Sequence, residues 1–150
     1  TAQMCLLNGR KYTVALMREG ERHFRISSDI GENAPIPWTA SGRLLLGHLS
    51  DQQIIDLIDH DDFILPDGQR LSLETFLAQI RQATLDGFFS FDSVADTFTH
   101  CFAAPVRDGQ GISIATLCIV APRADAIKHY NDYRRVLIES ANNLARRINE

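Results

Sequence analysis

Residues 101–122, CFAAPVRDGQGISIATLCIVAP, contain two apolar runs on either side of a short polar segment. Cys101 to Val106 and Ile112 to Val120 form the two runs, and the composition of Asp108 to Gly111 between them is typical of a turn. Pro122 closes the second run. The pattern predicts two antiparallel, largely buried strands. Neither run approaches the roughly 18 apolar residues that a membrane span needs.

The beginning of the chain predicts further strands of the same sheet. Asn8-Gly9 separates the runs Gln3 to Leu7 and Arg10 to Met17, and this pair favours a hairpin in which both turn residues have positive φ. After a second turn, Phe24 and Ile26 alternate along a third strand. Three antiparallel strands are therefore expected before residue 30.

The segment after residue 34 predicts an extended stretch that leads into a helix. Pro35 and Pro37 exclude a regular helix there, and a helix is expected to begin around Thr39 to Ser41, with its inner face formed by Leu44, Leu45 and His48. Small residues and hydroxyls at a helix start expose backbone N–H groups that favour an anion such as a carboxylate. The alternative is an ordinary capped helix in which Gly42 allows close packing.

Three more helical patterns complete the chain. Ser50 caps the first of them, and Ser72 caps the second, which ends near Gly87. The last is a single long amphipathic helix whose apolar stripe is formed by Ile127, Tyr130, Leu137, Ala141, Leu144 and Ile148. The predicted fold is a single α+β domain over residues 1–150, an antiparallel sheet of about five or six strands with flanking helices.

Charge and composition exclude several classes of function. The net charge of the 150 residues is −4, and residues 50–100 carry ten acidic side chains against two basic ones. A protein that binds nucleic acid normally presents a basic face, so we do not expect this stretch of chain to bind DNA alone. The first residues lack the pattern of a signal peptide, which favours a soluble, cytoplasmic protein.

Residues suited to catalysis or metal binding do not combine into a site. His100 and Cys101 are neighbours on a predicted strand, so their side chains point to opposite faces. The three cysteines include no CxxC pair, and His60, Asp61 and Asp62 have no further ligand at suitable spacing. We therefore expect no catalytic residues, no metal and no cofactor. An enzyme on the same scaffold remains the alternative.

Three motifs together resemble one protein family. Pro35 to Leu49 resembles the P-x-h-x-T-A-x-G-K-x-x-L-A-x-L signature of IclR-family transcriptional regulators. Gly87-Phe88 and Phe102 to Asp108 resemble the family's G-Y … I-A-A-P-V-x-D block. Leu117 to Pro122 falls where the family usually has L-S-V-S-G-P. The similarity extends over nearly the whole chain in the same order.

The resemblance implies a GAF-like effector-binding domain. In such regulators a separate N-terminal winged helix-turn-helix domain binds the operator, and these 150 residues contain no helix-turn-helix pattern. We therefore expect the chain to comprise the sensing domain alone, to reach operator DNA only through that absent domain, and to form a homo-oligomer, a dimer or tetramer. The expected partner is a small organic acid.

The resemblance, together with residues adjacent to the matched positions, also indicates the ligand-binding positions. These are Trp38, Thr39, Ala40, Ser41, Phe91, Thr99, Cys101, Cys118 and Val120. Phe91 stands where the family usually has an acid, and Cys118 and Val120 stand where it has hydroxyls, so an apolar or aromatic acid is expected, with its carboxylate at Ser41. The alternative is a non-sensing dimerisation module whose cavity is filled by Phe91 and Phe98.

Overall fold

The computed structural model describes residues 1–20 and 30–150. Its strands are β1 (Ala2–Asn8), β2 (Lys11–Arg18), β3 (Asn33–Pro35), β4 (Phe89–Asp92), β5 (Thr99–Arg107) and β6 (Ser113–Pro122). Its helices are α1 (Gly42–Leu45), α2 (Asp51–Leu57), α3 (Leu73–Asp86), α4 (Arg123–Lys128) and α5 (Tyr130–Ile148), with 3-10 turns at Ile36–Trp38 and His60–Phe63. The strand predicted at Phe24 and Ile26 lies outside the described residues.

The described strands form one antiparallel sheet in the order β3-β2-β1-β6-β5-β4. The predicted α+β, GAF-like architecture is confirmed, and so is the β5–β6 hairpin, whose turn contains Gly111 at φ +81°. The first hairpin differs in detail. Asn8 pairs with Lys11, so Gly9 and Arg10 are the turn residues, and only Gly9 has positive φ. A II′ turn needs positive φ at its first position alone, which glycine supplies.

Each face of the sheet is covered by its own set of helices. On one face, α5 packs on Phe102, Ala104 and Val106 of β5. On the other face, α1 and α3 pack over Ala103 of β5 and Cys118 of β6. Because side chains alternate along a strand, β5 and β6 contribute to both cores. None of the helices described has the length and apolar content that crossing a membrane requires.

Helix ends follow the predicted caps. Ser50 Oγ accepts a hydrogen bond from the Gln53 N–H, and Gln53 Oε1 accepts one from the Ser50 N–H. This capping box begins α2. Ser72 caps α3 in the same position, and Gly87 ends that helix at φ +62°. The inner face of α3 is predicted only in part. Helical spacing places Phe76, Leu77, Ile80 and Leu85 on it, but Leu85 is 83% exposed, whereas Phe76 and Ile80 are fully buried.

Two helix predictions are wrong. The C-terminal helix is broken at His129, whose φ of −118° and ψ of 23° depart from helical values, so α4 and α5 do not share one stripe and Ile127 is 81% exposed. Only Leu137 and Ala141 of the predicted stripe are fully buried in α5, while Ile148 is half exposed. α1 is a single turn, so the chain leaves the helix before His48, which is exposed.

Candidate functional site

A cavity of about 130 Å³ lies between the sheet and the segment that precedes α1. Strands β1, β2, β5 and β6 form its floor, residues 38–41 form its roof, and the β4–β5 loop closes the end beside β5. Its lining residues are Gln3, Tyr12, Ala34, Trp38, Thr39, Ala40, Ser41, Ser93, Ala95, Asp96, Thr99, Cys101, Cys118 and Val120.

The structure brings together eight of the nine residues expected to bind a ligand: Trp38, Thr39, Ala40, Ser41, Thr99, Cys101, Cys118 and Val120. Phe91 is not among the lining residues, because its ring packs 5.0 Å from the guanidinium carbon of Arg43. Phe98, expected to help fill the cavity, is 56% exposed. The plug that belongs to the alternative, a non-sensing module, is therefore not formed by these two rings, and binding by the other eight residues stays a prediction.

The roof is held by hydrogen bonds of Thr39. The Gly42 N–H donates to Thr39 Oγ1 at 2.9 Å, and that hydroxyl donates to the Ile36 carbonyl. A Cβ at Gly42 would lie 2.3 Å from the Ile36 oxygen, so only glycine fits there. The Thr39 hydroxyl is thus occupied within the protein. Within the described ranges, the backbone N–H groups of Ala40 and Ser41 have no hydrogen-bond acceptor.

Thiols and hydroxyls form a buried cluster under the roof. Thr116 Oγ1 donates to Ser41 Oγ at 2.7 Å, and Ser41 Oγ lies 2.8 Å from Cys118 Sγ. Cys118 Sγ is 3.9 Å from Cys5 Sγ, which bonds to the Tyr12 hydroxyl at 3.4 Å. The hydrogen bond to Cys118 and burial raise the pKa of Cys5, and burial raises the pKa of Tyr12. These two groups are neutral at physiological pH.

Asp96 is a lining residue that the sequence analysis missed. Its carboxylate accepts hydrogen bonds from the backbone N–H groups of Phe98 and Thr99, at 2.9 and 2.8 Å, and from Thr99 Oγ1 at 2.7 Å. Burial raises the pKa of Asp96, but these hydrogen bonds and the charge of Arg123 outweigh it, so the pKa lies below its usual value. The spacing of Asp96 and Thr99 around a turn is the signal that would have indicated this fixed carboxylate.

Arg43 lies behind the roof and holds it in place. The side chain is 2% exposed, and it donates to the carbonyls of Pro37 at 2.6 Å and Thr39 at 2.8 Å, and to Gln79 Oε1 at 3.1 Å. Burial lowers the pKa of Arg43 to about 9, so the guanidinium is charged at neutral pH. Its charge is met by carbonyl dipoles and by the rings of Phe76, Phe89 and Phe91, whose centres are 4.9, 5.2 and 5.0 Å away.

His100 lies on the opposite face of the sheet from the cavity. Its Nδ1 is 2.8 Å from Asp92, and its ring is 4.9 Å from Phe102, which packs under α5. Cys101 lines the cavity. The two neighbours therefore cannot share a proton, as the strand geometry predicts. Among the residues described, no group of three or more His, Cys, Asp or Glu side chains is placed to hold a metal ion.

An antiparallel sheet with a small covered cavity, and with polar groups placed around that cavity, is the architecture of a ligand-binding domain. Residues 1–149 match the family described as "Bacterial transcriptional regulator IclR C-terminal". The chain belongs to the IclR family of transcriptional regulators and corresponds to their C-terminal effector-binding domain.

Known relatives agree with this assignment. The chain is 27% identical over 157 residues to the HTH-type transcriptional regulator TtgV of Pseudomonas putida strain DOT-T1E, with 97% of the chain aligned. The crystal structure of the Agrobacterium tumefaciens repressor BlcR has a TM-score of 0.83 at 20% identity, over 97% of this chain and 58% of that one. The inducer-binding domain of a PobR double mutant from Acinetobacter, in complex with 3-hydroxy benzoic acid, has a TM-score of 0.78 at 18% identity, over 96% and 86%. The chain spans only 56% of the length of TtgV.

Proposed function

We propose that this domain binds a small organic acid built on a single ring, and that binding controls a separate winged helix-turn-helix domain of the intact regulator. The observation that carries the proposal is the cavity of about 130 Å³, lined by eight of the residues expected to bind a ligand. The Phe91 and Phe98 plug expected of a non-sensing dimerisation module is not formed, which favours sensing.

The size of the cavity supports a ligand of one ring. An engineered apolar cavity of roughly 150 Å³ holds a benzene molecule, so this cavity of about 130 Å³ limits the enclosed part of a ligand to one ring. Trp38, Cys101, Cys118 and Val120 supply much of the apolar surface around it. A fused two-ring compound would need the roof to move. The single-ring acid in the PobR complex is consistent with this size.

Two backbone groups are suited to the carboxylate of such an acid. Ala40 and Ser41 line the cavity, and their N–H groups find no acceptor elsewhere in the described part of the chain. Hydrogen bonds from backbone N–H to a carboxylate are charge-assisted and shorter than neutral ones. The predicted place of the carboxylate at Ser41 is kept, with the backbone as the donor, because the Ser41 hydroxyl is engaged by Thr116 and Cys118.

Thermal unfolding tests the ligand proposal. Benzoate at about a hundred times its dissociation constant should stabilise the chain by about 2.7 kcal/mol, and glyoxylate and pyruvate should stabilise it less. Ser41→Asp should abolish the benzoate effect, because a carboxylate would then face the ligand's own. A larger shift with pyruvate or a sugar acid than with benzoate would contradict the proposed ligand.

DNA binding tests the regulatory part. Residues 1–150 alone should not retard operator DNA at physiological salt, whereas the intact regulator should retard it, and the ligand should change that affinity. A homo-oligomer, which suits palindromic operators, and a cytoplasmic location belong to the same proposal. A sequence-specific shift by residues 1–150 would contradict the division of roles, and sedimentation of the intact regulator as a monomer would contradict the oligomer.

A further inference from the structure

We infer that the ligand of this cavity carries a hydrogen-bond donor, such as a hydroxyl, and not a second anionic group, and that Asp96 binds this donor and selects for it. The inference rests on the proposed function, since it assumes that the cavity binds a small ring acid. It adds the chemical group that distinguishes the preferred ligand from an unsubstituted ring acid, and it identifies Asp96 as the residue that binds this group.

The hydrogen bonds of Asp96 leave one of its oxygens available. Oδ1 accepts from the N–H groups of Phe98 and Thr99 and from Thr99 Oγ1. Within residues 1–20 and 30–150, Oδ2 accepts only from that same Thr99 hydroxyl, at 2.7 Å. A carboxylate has about four acceptor positions, so Oδ2 retains capacity for a further donor. Asp96 lines the cavity, and its orientation is fixed by the turn that it closes.

The charges around the cavity decide which kind of group fits beside Asp96. No lysine, arginine or histidine occurs among the described residues that line the cavity. Arg123 lowers the pKa of Asp96, but it is not a lining residue, and its own donors reach the carbonyls of Thr99 at 3.2 Å and Ser93 at 3.5 Å. The carboxylate is therefore ionised without a cation inside the cavity. A second anionic group beside it would be repelled, whereas a hydrogen-bond donor would be bound.

The hydroxyls of the cavity are committed to other partners. Thr99 donates to Asp96, Tyr12 donates to Gln3 Oε1 at 3.4 Å, and Ser93 Oγ accepts from the Ala95 N–H at 3.1 Å. Asp96 is thus an ionised acceptor that can take a ligand hydroxyl without breaking an internal hydrogen bond. It lies at the β5 end of the cavity, while Ser41 sits over Cys118 of the central strand β6. A ring with a carboxylate at Ser41 can present its substituent toward Asp96.

The test compares ring acids of nearly equal size by calorimetric titration of the chain. Benzoate is compared with 3- and 4-hydroxybenzoate, with 3- and 4-fluorobenzoate, and with the benzene-1,3- and 1,4-dicarboxylates. Fluorine matches a hydroxyl in size but donates no hydrogen bond. The better hydroxybenzoate should bind at least tenfold more tightly than benzoate and than its fluorinated counterpart, and the dicarboxylates should bind more weakly than benzoate.

Two variants then assign the effect to a residue. Asp96→Asn keeps the size of the side chain and should reduce the advantage of the hydroxyl to under threefold, while benzoate affinity falls by no more than about that factor. Asp86→Asn removes an equal charge from an exposed residue that does not line the cavity, and the advantage should persist. Circular dichroism checks that both variants fold, and the wild-type series stands by itself if Asp96→Asn does not.

The outcomes separate this inference from the proposed function. If benzoate binds but the hydroxyl gives no advantage over fluorine, or if the advantage survives in Asp96→Asn, the role of Asp96 is wrong while the proposed function stands. If none of the ring acids binds, the proposed function fails and the inference fails with it.

Discussion

The guanidinium carbon of Arg43 lies 4.9 Å from the centre of the Phe76 ring, at a position where the side chain is 2% exposed. No carboxylate contacts it within the described part of the chain. Carbonyl oxygens and aromatic faces together replace the missing anion. Since two of those carbonyls belong to Pro37 and Thr39, the buried charge connects α3 to the roof of the cavity.

The first prediction concerns this charge. Arg43→Met removes the donors of two carbonyls and of Gln79, and it should lower the free energy of unfolding by about 2–4 kcal/mol, because buried acceptors would be left unpaired. Urea denaturation measures the change. Arg135→Met, a matched change at an exposed position of α5, should alter the free energy by less than about 0.5 kcal/mol. Equal effects of the two substitutions would contradict the role given to Arg43.

The second prediction concerns Gly42. In Gly42→Ala the new Cβ would lie 2.3 Å from the Ile36 carbonyl oxygen and 2.7 Å from Ile36 Cγ2, so the roof must shift, at a cost of about 1–3 kcal/mol. Thermal unfolding measures the cost, and benzoate titration should show weaker binding. Gly109→Ala is the control, because the nearest atom to its Cβ would be 3.8 Å away. A stable Gly42→Ala with unchanged binding would show that the roof tolerates a side chain.

The third prediction concerns the thiols of the cavity. Burial, with the nearby Cys118 and Asp96, raises the pKa of Cys101 to about 12. Because the thiolate is the reactive form, alkylation of Cys101 should be slow at pH 7 and should accelerate about tenfold for each pH unit up to pH 10. Mass spectrometry of the digested chain measures the modification site by site.

The same experiment contains its own control. A cavity ligand should protect Cys101, which is half-buried in the cavity wall. Cys5, at 0% exposure and behind Cys118, should react last with or without ligand. Modification of Cys5 before Cys101, or a rate that stops rising near pH 8.5, would contradict the burial of these groups as described.

The fourth prediction concerns acid stability. The folded-state pKa of Asp96 is below its ordinary value, so the ionised carboxylate stabilises the fold above pH about 4. That stabilisation is lost as the pH falls through the lowered pKa. Asp96→Asn should therefore be less stable than the wild type at pH 7, and the difference should shrink toward pH 2.5. Urea titrations across this range measure it.

A conservative change at the donor provides the control for Asp96. Thr99→Ser keeps the hydroxyl that donates to the carboxylate and should keep the pH dependence, whereas Thr99→Val should weaken it. A difference between Asp96→Asn and the wild type that is constant from pH 7 to pH 2.5 would contradict the lowered pKa.

Local signals predicted those parts of the fold that local interactions decide. The β5–β6 hairpin has its apolar runs and turn in one segment of sequence, and the Ser50 and Ser72 caps act within a single helical turn. The break at His129 has no comparable local signal, and the two helices that it separates, α4 and α5, each pack on β5 and β6. The helical spacing of apolar residues does not reveal a break at this position, so the sequence predicts one continuous helix.

The candidate site likewise contains residues that the sequence predicts and residues that tertiary packing places. Ser41, Cys101 and Cys118 are placed by strand alternation and by motif position, and they do line one cavity. Asp96 reaches the cavity through the β4–β5 loop, whose path follows from tertiary packing. Phe91 was expected in the cavity, but the cation–π contact with Arg43 holds it elsewhere, and that contact joins residues far apart in sequence.

Along β6 successive side chains alternate between the two faces of the sheet. Leu117 and Ile119 pack beneath α5, whereas Cys118 and Val120 between them face the cavity. Positions that line the cavity and positions that maintain the scaffold are therefore interleaved but occupy opposite sides of the sheet. If the proposed function holds, such a domain can acquire a new ligand through substitutions at every second position of one strand while its architecture is inherited unchanged.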